Sequence, residues 1–210
     1  MSAVLMICLK KQPWFESSYD HLIRAIRRRA ILDLIETPAA LFLHIGIDLP
    51  ILPTSILIAD ECLSKPQYWN LWEDVVAYVK QGGTAVFMGT FATNVMPGDM
   101  EKLFSFAGLP WAMNEIEEGA FLLNGNAMDA TDAAFWQLPR THHHQALTLS
   151  GVAPSDAWYT SCSRGTAVAM ADIGRGRLGY VGDVDAEEDT NAIIIAMCRL
   201  AGCSSGCDGF

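Results

Sequence analysis

Short apolar runs alternate with helical stripes over the first half of the chain. Ala3 to Leu9 is an apolar run with no polar alternation, the pattern of a strand buried on both faces. A loop at Pro13-Trp14-Phe15 follows. Ser17-x-x-Asp20 resembles a capping box with Asp in place of the usual Glu, opening a helix through Arg29. Its stripe is Leu22, Ile23, Ile26 and Ala30. Between Ala30 and Ile58, two apolar runs, Leu41 to Ile47 and Ile56 to Ala59, are broken by Pro38, Pro50 and Pro53. The second ends in Asp60-Glu61 and reads as a buried parallel strand. The clearest helix has Trp69, Trp72, Val76 and Val79 at helical spacing, widened by Val75 and Tyr78. Gln81-Gly82-Gly83 ends it, with glycine where a left-handed cap is wanted. Thr84 to Met88 is the next strand, Gly89 to Asn94 its loop, and Asp99 to Ala107 a short helix stopped by Gly108 and Pro110.

The second half changes character. Ala120 to Leu123, Ala146 to Leu149 and Ala157 to Thr160 read as short strands without long helices between them. Thr166 to Ile173 and Leu178 to Val181 flank Gly174-Arg175-Gly176-Arg177, a hairpin turn. A last helix spans Thr190 to Ala201, with Ile193, Ile194, Met197, Cys198 and Leu200 inward. The pattern predicts an α/β fold with a mostly parallel central sheet, helices on both faces and an added antiparallel hairpin section. No repeat or linker is visible, so residues 1–210 are read as one domain.

Composition narrows the chemistry. Of 210 residues, 51% are hydrophobic and 18% charged, as in an ordered chain with a well-filled core. A formal net charge of −10 argues against a nucleic-acid partner, which would call for clustered cations. The one basic run, Arg27-Arg28-Arg29, falls in the last turn of a helix, where cations suit the helix dipole. No apolar run reaches the roughly 18 residues of a membrane span. The opening stretch is followed, not preceded, by Lys10-Lys11, unlike a signal peptide. A cytoplasmic location is expected, with the six cysteines reduced and Cys8 and Cys198 acting as small hydrophobes. Cys203-x3-Cys207 lacks the second ligand pair that zinc requires.

Ile58-Ala59-Asp60-Glu61, the helix ending Val79-Lys80-Gln81-Gly82-Gly83, and Thr84 to Gly89 resemble the ThuA-like branch of the class I glutamine amidotransferase-like superfamily, in its fungal-type uncharacterised members. Val168-Ala169-Met170, Gly174 to Arg177 and Gly179 to Asp183 resemble its closing hairpin. The likeness covers roughly Ile56 to Leu200; the N-terminal third matches only in element order. It implies a flavodoxin-like three-layer sandwich. Catalytic members carry a cysteine on the turn after the strand corresponding to Thr84 to Met88, and here that turn is Gly89-Thr90-Phe91. The histidine commonly found after the closing strand is replaced by Asp183. The resemblance therefore implies the scaffold without cysteine-dependent amidotransferase activity.

Three polar groups stand out beside that turn. Asp60 and Glu61, with Cys62, end a parallel strand at the edge where α/β sheets bind ligands. With Asp183 they form a candidate catalytic acid/base set for a carbohydrate-like metabolite. The bland alternative is a helix-entry loop of solvated acids. Asp183-Val184-Asp185-Ala186-Glu187-Glu188-Asp189 offers oxygen ligands for Mg²⁺ or Ca²⁺, yet it precedes a helix N-terminus, where negative charge is favourable unaided. No metal and no cofactor are expected. In His142-His143-His144 alternate side chains share a face, and a surface loop is expected. The candidate ligand-binding loop is Gly89, Thr90, Phe91, Thr93 and Asn94: a glycine, neutral hydrogen-bonding groups and an aromatic ring. The leading expectation is a small-molecule-binding or regulatory protein. The other classes are a carboxylate enzyme and a homodimeric assembly module facing its partner through Trp69, Trp72, Phe91 and Trp111, although most such stripes are core.

Overall fold

The strands β1 (Ala3–Ile7), β3 (Ser55–Ile58) and β4 (Thr84–Phe87) are buried along almost their whole length, as unbroken apolar runs require when helices cover both faces. The computed structural model describes residues 2–45, 52–127 and 138–200. In it these strands are joined in parallel by β2 (Ile31–Ile35) and β9 (Gly176–Val181), in the order β2-β1-β3-β4-β9. Successive side chains alternate between two cores. On one face Leu5, Ile7, Ile56, Ile58, Phe87 and Tyr180 meet α3 (Pro38–Ile45), α4 (Trp69–Lys80) and α6 (Pro97–Phe106) through Leu41, Trp72, Val76, Val79, Leu103 and Phe104. On the other, Val4, Met6, Leu57, Val86 and Val181 meet α1 (Phe15–Ser18), α2 (Asp20–Arg27) and α7 (Thr190–Met197) through Phe15, Leu22, Ile26, Ile193 and Met197.

The expected flavodoxin-like sandwich with a mostly parallel sheet is not what forms. Four further strands, β5 (Ala112–Leu123), β6 (Thr141–Ser150), β7 (Ala157–Thr160) and β8 (Thr166–Ile173), extend the sheet, and every pairing they make is antiparallel. Five of the nine pairings among the described strands are antiparallel and four parallel. Because β7 also pairs with β8, the ring β8-β6-β5-β7 closes on itself as a small barrel. The added section is therefore no single hairpin but about half of the sheet.

The physical reason lies in β5. Twelve residues long, it is mostly solvent-facing, with Asn114, Glu115, Glu117 and Glu118 in its middle, and so shows no apolar run to read. Its order comes from pairing with β6, across a register shift between Met113 and Ile116. β2 is likewise an unforeseen edge strand. Residues 41–45 of the apolar run after it lie in α3, not in a strand. The helix α2 ends at Arg27, and Ser17 bonds Trp14 O instead of capping it. At its end Arg29 donates to Ala25 O. The segment Phe91–Asn94, expected as loop, makes one helical turn, α5.

The barrel is fastened to the parallel strands at Gly182. Leu147 N donates to Gly182 O at 2.8 Å, and Tyr180 Oη donates to Leu147 O at 2.8 Å. A Cβ on Gly182 would fall 2.1 Å from Leu147 O, a main-chain atom with no room to retreat. Gly182→Ala should therefore cost about 2–4 kcal/mol in urea unfolding. Gly98→Ala, in the first turn of α6 with nothing near its Cβ, should be neutral or stabilise by about 0.5 kcal/mol. Equal midpoints for the two variants would disprove this joint.

Candidate functional site

The carboxyl ends of β1, β3, β4 and β9 lie along one edge of the sheet. The sheet order reverses direction at β1, with β2 on one side and β3 on the other, so a switch point lies between β1 and β3. Asp60 fills it. Its side chain is 1% exposed; Oδ2 accepts from Lys10 N at 2.7 Å and Oδ1 from Cys62 N at 3.0 Å. These bonds tie the loop after β1 to the turn after β3. Glu61 points elsewhere. Its Oε1 takes the Lys10 ammonium at 3.0 Å, while its Oε2 is buried without a hydrogen-bond partner. The Lys10 pKa is raised, chiefly by the hydrogen bond to Glu61 and by that residue's charge.

The cysteines beside this point are not poised to react. Burial, and secondarily the charge of Asp60, pushes the Cys62 and Cys8 thiols up to about 12. Burial does the same to Cys198. Only about one in 10⁵ of such thiols is ionised at neutral pH.

The turn after β4 runs tight against β3. Gly89 has φ +67°, and a Cβ there would meet Ala59 O at 2.8 Å. Thr90 donates both its N–H and its hydroxyl to that same carbonyl, at 2.9 and 3.0 Å. Thr93 and Asn94 are exposed, and each donates to Thr90 O. Phe91 is fully buried, 4.3 Å from Phe87 between ring centroids and edge-on to Tyr180. The loop residues are thus together in space, with Phe91 facing the core.

Asp183 follows β9 on the far side of Gly89. It is buried: Oδ1 accepts from Asp185 N at 2.9 Å, and Oδ2 from Glu187 N at 2.9 Å and from the Thr190 hydroxyl. It therefore fixes the entry to α7. The cavity it shares with Gly89, Tyr19 and Thr190 holds about 10 Å³, the room of one water, with neither Asp60 nor Glu61 on its wall. Asp185, Glu187, Glu188 and Asp189 face solvent, Glu188 beside His21. Among the described residues no group of three or more His, Cys, Asp or Glu is arranged around a metal position. The Cys203-x3-Cys207 pair lies outside the described residues.

The histidine run corrects the surface-loop expectation. It sits within β6, with His142 and His144 buried on one face and His143 exposed. Since Thr190 gives its single proton to Asp183, it can only accept from His142, whose Nε2 lies 3.0 Å away. His142 thus carries its proton on Nε2 and extends the chain His142–Thr190–Asp183, which sequence reasoning did not assemble. Only the even spacing of His142 and His144 hinted at it. The two imidazole rings lie 3.9 Å apart between centroids, tilted by 35°, with Phe121 against His144. Of the aromatic residues weighed as a dimer face, Trp72, Phe91 and Trp111 are core, and Trp69 is partly covered by Phe106.

No family profile matches the chain, and no curated protein matches it in sequence. Solved structures do resemble it in fold. A putative ThuA-like protein from Bacteroides uniformis shares 10% identity over 95% of this chain and 90% of its own, with a TM-score of 0.62. A cytoplasmic protein from Salmonella typhimurium matches 95% of this chain and 96% of its own, at 13% identity and a TM-score of 0.56. A β-galactosidase from Bacillus circulans matches 94% of this chain at 15% identity and a TM-score of 0.56, but only 31% of its own length. The chain thus spans under a third of that enzyme. It shares a fold with ThuA-like structures; the fungal-type detail has no support among these matches. No helix of the described residues is long and apolar enough to cross a membrane.

The buried imidazoles make stability depend on pH. Burial, then the neighbouring His142, lowers His144 from 6.5 to about 3. Burial also lowers His142, partly offset by Asp183 and Asp189. Both are neutral in the fold, whereas the unfolded chain takes up protons near the ordinary value. The contribution of His144 is complete above about pH 6.5 and is lost as pH falls from there toward about 3, and that of His142 falls in the same direction. The unfolding free energy from urea titration should drop by about 2 kcal/mol between pH 7.5 and pH 5 on account of His144. His144→Leu should flatten that slope; an unchanged slope in the variant would count against a neutral buried imidazole.

Proposed function

We propose that the chain is a small-molecule-binding or regulatory protein on a class I glutamine amidotransferase-like scaffold of the ThuA-like branch, without cysteine-dependent glutaminase activity. The observation that supports this most is the turn after β4. Where a nucleophile would stand, the hydroxyl of Thr90 is bonded to Ala59 O, and the thiols at the same edge are buried and protonated. Asp60 and Asp183 hold main-chain donors with both carboxylate oxygens, a positioning arrangement that leaves ligand binding to other groups. We place the protein in the cytoplasm, as for the Salmonella structure.

A second reading is an enzyme acting on a carbohydrate-like metabolite with Asp60, Glu61 and Asp183 as acid and base. It is favoured by the unpartnered Oε2 of Glu61, a buried carboxylate oxygen at the carboxyl edge of the sheet. A Glu61→Gln variant with undiminished glycosidase turnover would remove it.

Purified protein incubated with glutamine should release no ammonia above the enzyme-free blank. Release that disappears in Cys62→Ala would overturn the leading reading. Alkylation of the native protein at about pH 7.5, mapped by mass spectrometry, should modify exposed Cys162 and spare Cys8, Cys62 and Cys198. Rapid modification of Cys62 would show a thiolate where a protonated thiol is expected.

A further inference from the structure

Among the described strands, closure of the antiparallel ring leaves the sheet one open edge. Every other strand has a neighbour on both sides, whereas β2 pairs only with β1. Ile31 N donates to Ser2 O and Cys8 N to Ile35 O. The odd-numbered residues of β2 therefore turn their main-chain groups toward β1, and Leu32 and Leu34 turn theirs outward. Such an outward row is a template for another strand, which proteins usually blunt with lysine, proline or a bulge. β2 carries none of the three: it reads Ile31-Leu32-Asp33-Leu34-Ile35 and pairs with β1 in unbroken register.

The surface beside this edge is apolar. Ile31, Asp33 and Ile35 lie level with Ala3, Leu5 and Ile7, on the sheet face that α3 covers. Ile31 is 49% exposed there. The helix α3 packs on β2 and carries Phe42 and Leu43, at 64% and 69% the two most exposed large hydrophobics among the described residues.

Charge selects the occupant. Exposed Arg28 and Arg29 lead into β2, and exposed Glu36 leaves it. An antiparallel strand laid along this edge must bring an acid to the start of β2 and a cation to its end. A second β2, turned by a two-fold axis, supplies both. With the axis at Leu32, the two Leu32 residues form a hydrogen-bonded pair, Ile31 faces Asp33, and Arg28 comes level with Glu36 on both sides of the axis. With the axis at Asp33, two carboxylates would stand directly opposed, so Asp33 excludes that register. Strands of five residues fall short of the roughly 800 Å² per partner typical of a specific dimer, and the exposed side chains of α3 supply further apolar area.

We propose that the chain forms a two-fold homodimer in which the β2 strands pair antiparallel about Leu32. The two sheets then become one, with Phe42 and Leu43 of each α3 covering the seam.

Sedimentation equilibrium of the purified chain tests it. At about 100 μM the wild type should weigh twice the 22.9 kDa of one chain. Ile31→Asp, which opposes acids at both Ile31–Asp33 contacts, and Phe42→Ser should each yield the monomer with an unchanged circular dichroism spectrum. Arg28→Glu alone and Glu36→Arg alone should each weaken dimerisation about tenfold. An equimolar mixture of these two variants should recover a dimer of near wild-type affinity, because every charge pair across the axis is again of opposite sign. A monomeric wild type, a trimer, or a dimer unmoved by Ile31→Asp and Phe42→Ser would refute the surface. A mixture that stays as weak as its components would refute the Leu32 register.

Discussion

Two buried aspartates, each answered by main-chain N–H groups, set the geometry of the whole carboxyl edge. A carboxylate withdrawn from water is costly unless donors surround it. Asp60 therefore holds the loop after β1 and the turn after β3 in fixed relation, and Asp183 holds the exit of β9 against the entry of α7. Between them the Gly89 turn packs onto Ala59 O. The consequence is an edge whose polar groups mostly satisfy one another. It is well suited to position loops and poorly suited to present a nucleophile. Among the described residues the buried side-chain atoms without a partner are Glu61 Oε2, Ser64 Oγ, Trp72 Nε1, His142 Nδ1 and both ring nitrogens of His144.

The closed antiparallel ring is the other organising feature, and it depends on close backbone approach. Gly182 lets β9 leave the parallel arm and meet β6, and Tyr180 reaches across to the same Leu147 carbonyl. In this way β9, parallel to β4 and antiparallel to β8, carries Asp183 to the site, while β6 brings His142 to it through Thr190. Likeness to ThuA-like structures and to part of a β-galactosidase concerns this architecture and says nothing of substrate.

Elements that bury an unbroken apolar run or a wide helical stripe were legible in the sequence: β1, β3, β4 and α4 declare themselves through Ile56 to Ile58 or through Trp72, Val76 and Val79. Elements stabilised by partners distant in sequence were not. Glu117 and Glu118 read as loop because their strand is ordered by β6, and Ile31 to Ile35 reads ambiguously because an edge strand need not be apolar. The same holds for the site. Asp60, Gly89 and Asp183 were identifiable as residues ending strands, but their hydrogen-bond partners Lys10, Glu187 and Thr190 follow from loop conformation. The link from His142 to Asp183 spans two strands and a helix, and no spacing rule reaches across it.

The most direct measurement is the thermal unfolding of the purified chain across a metabolite panel containing glutamine and neutral sugars. A ligand present at about 100 times its dissociation constant adds about 2.7 kcal/mol to native stability. The account predicts a concentration-dependent rise in Tm with at least one compound of the panel and no release of ammonia when that compound is glutamine. No rise with any compound, or ammonia release with glutamine, would contradict it.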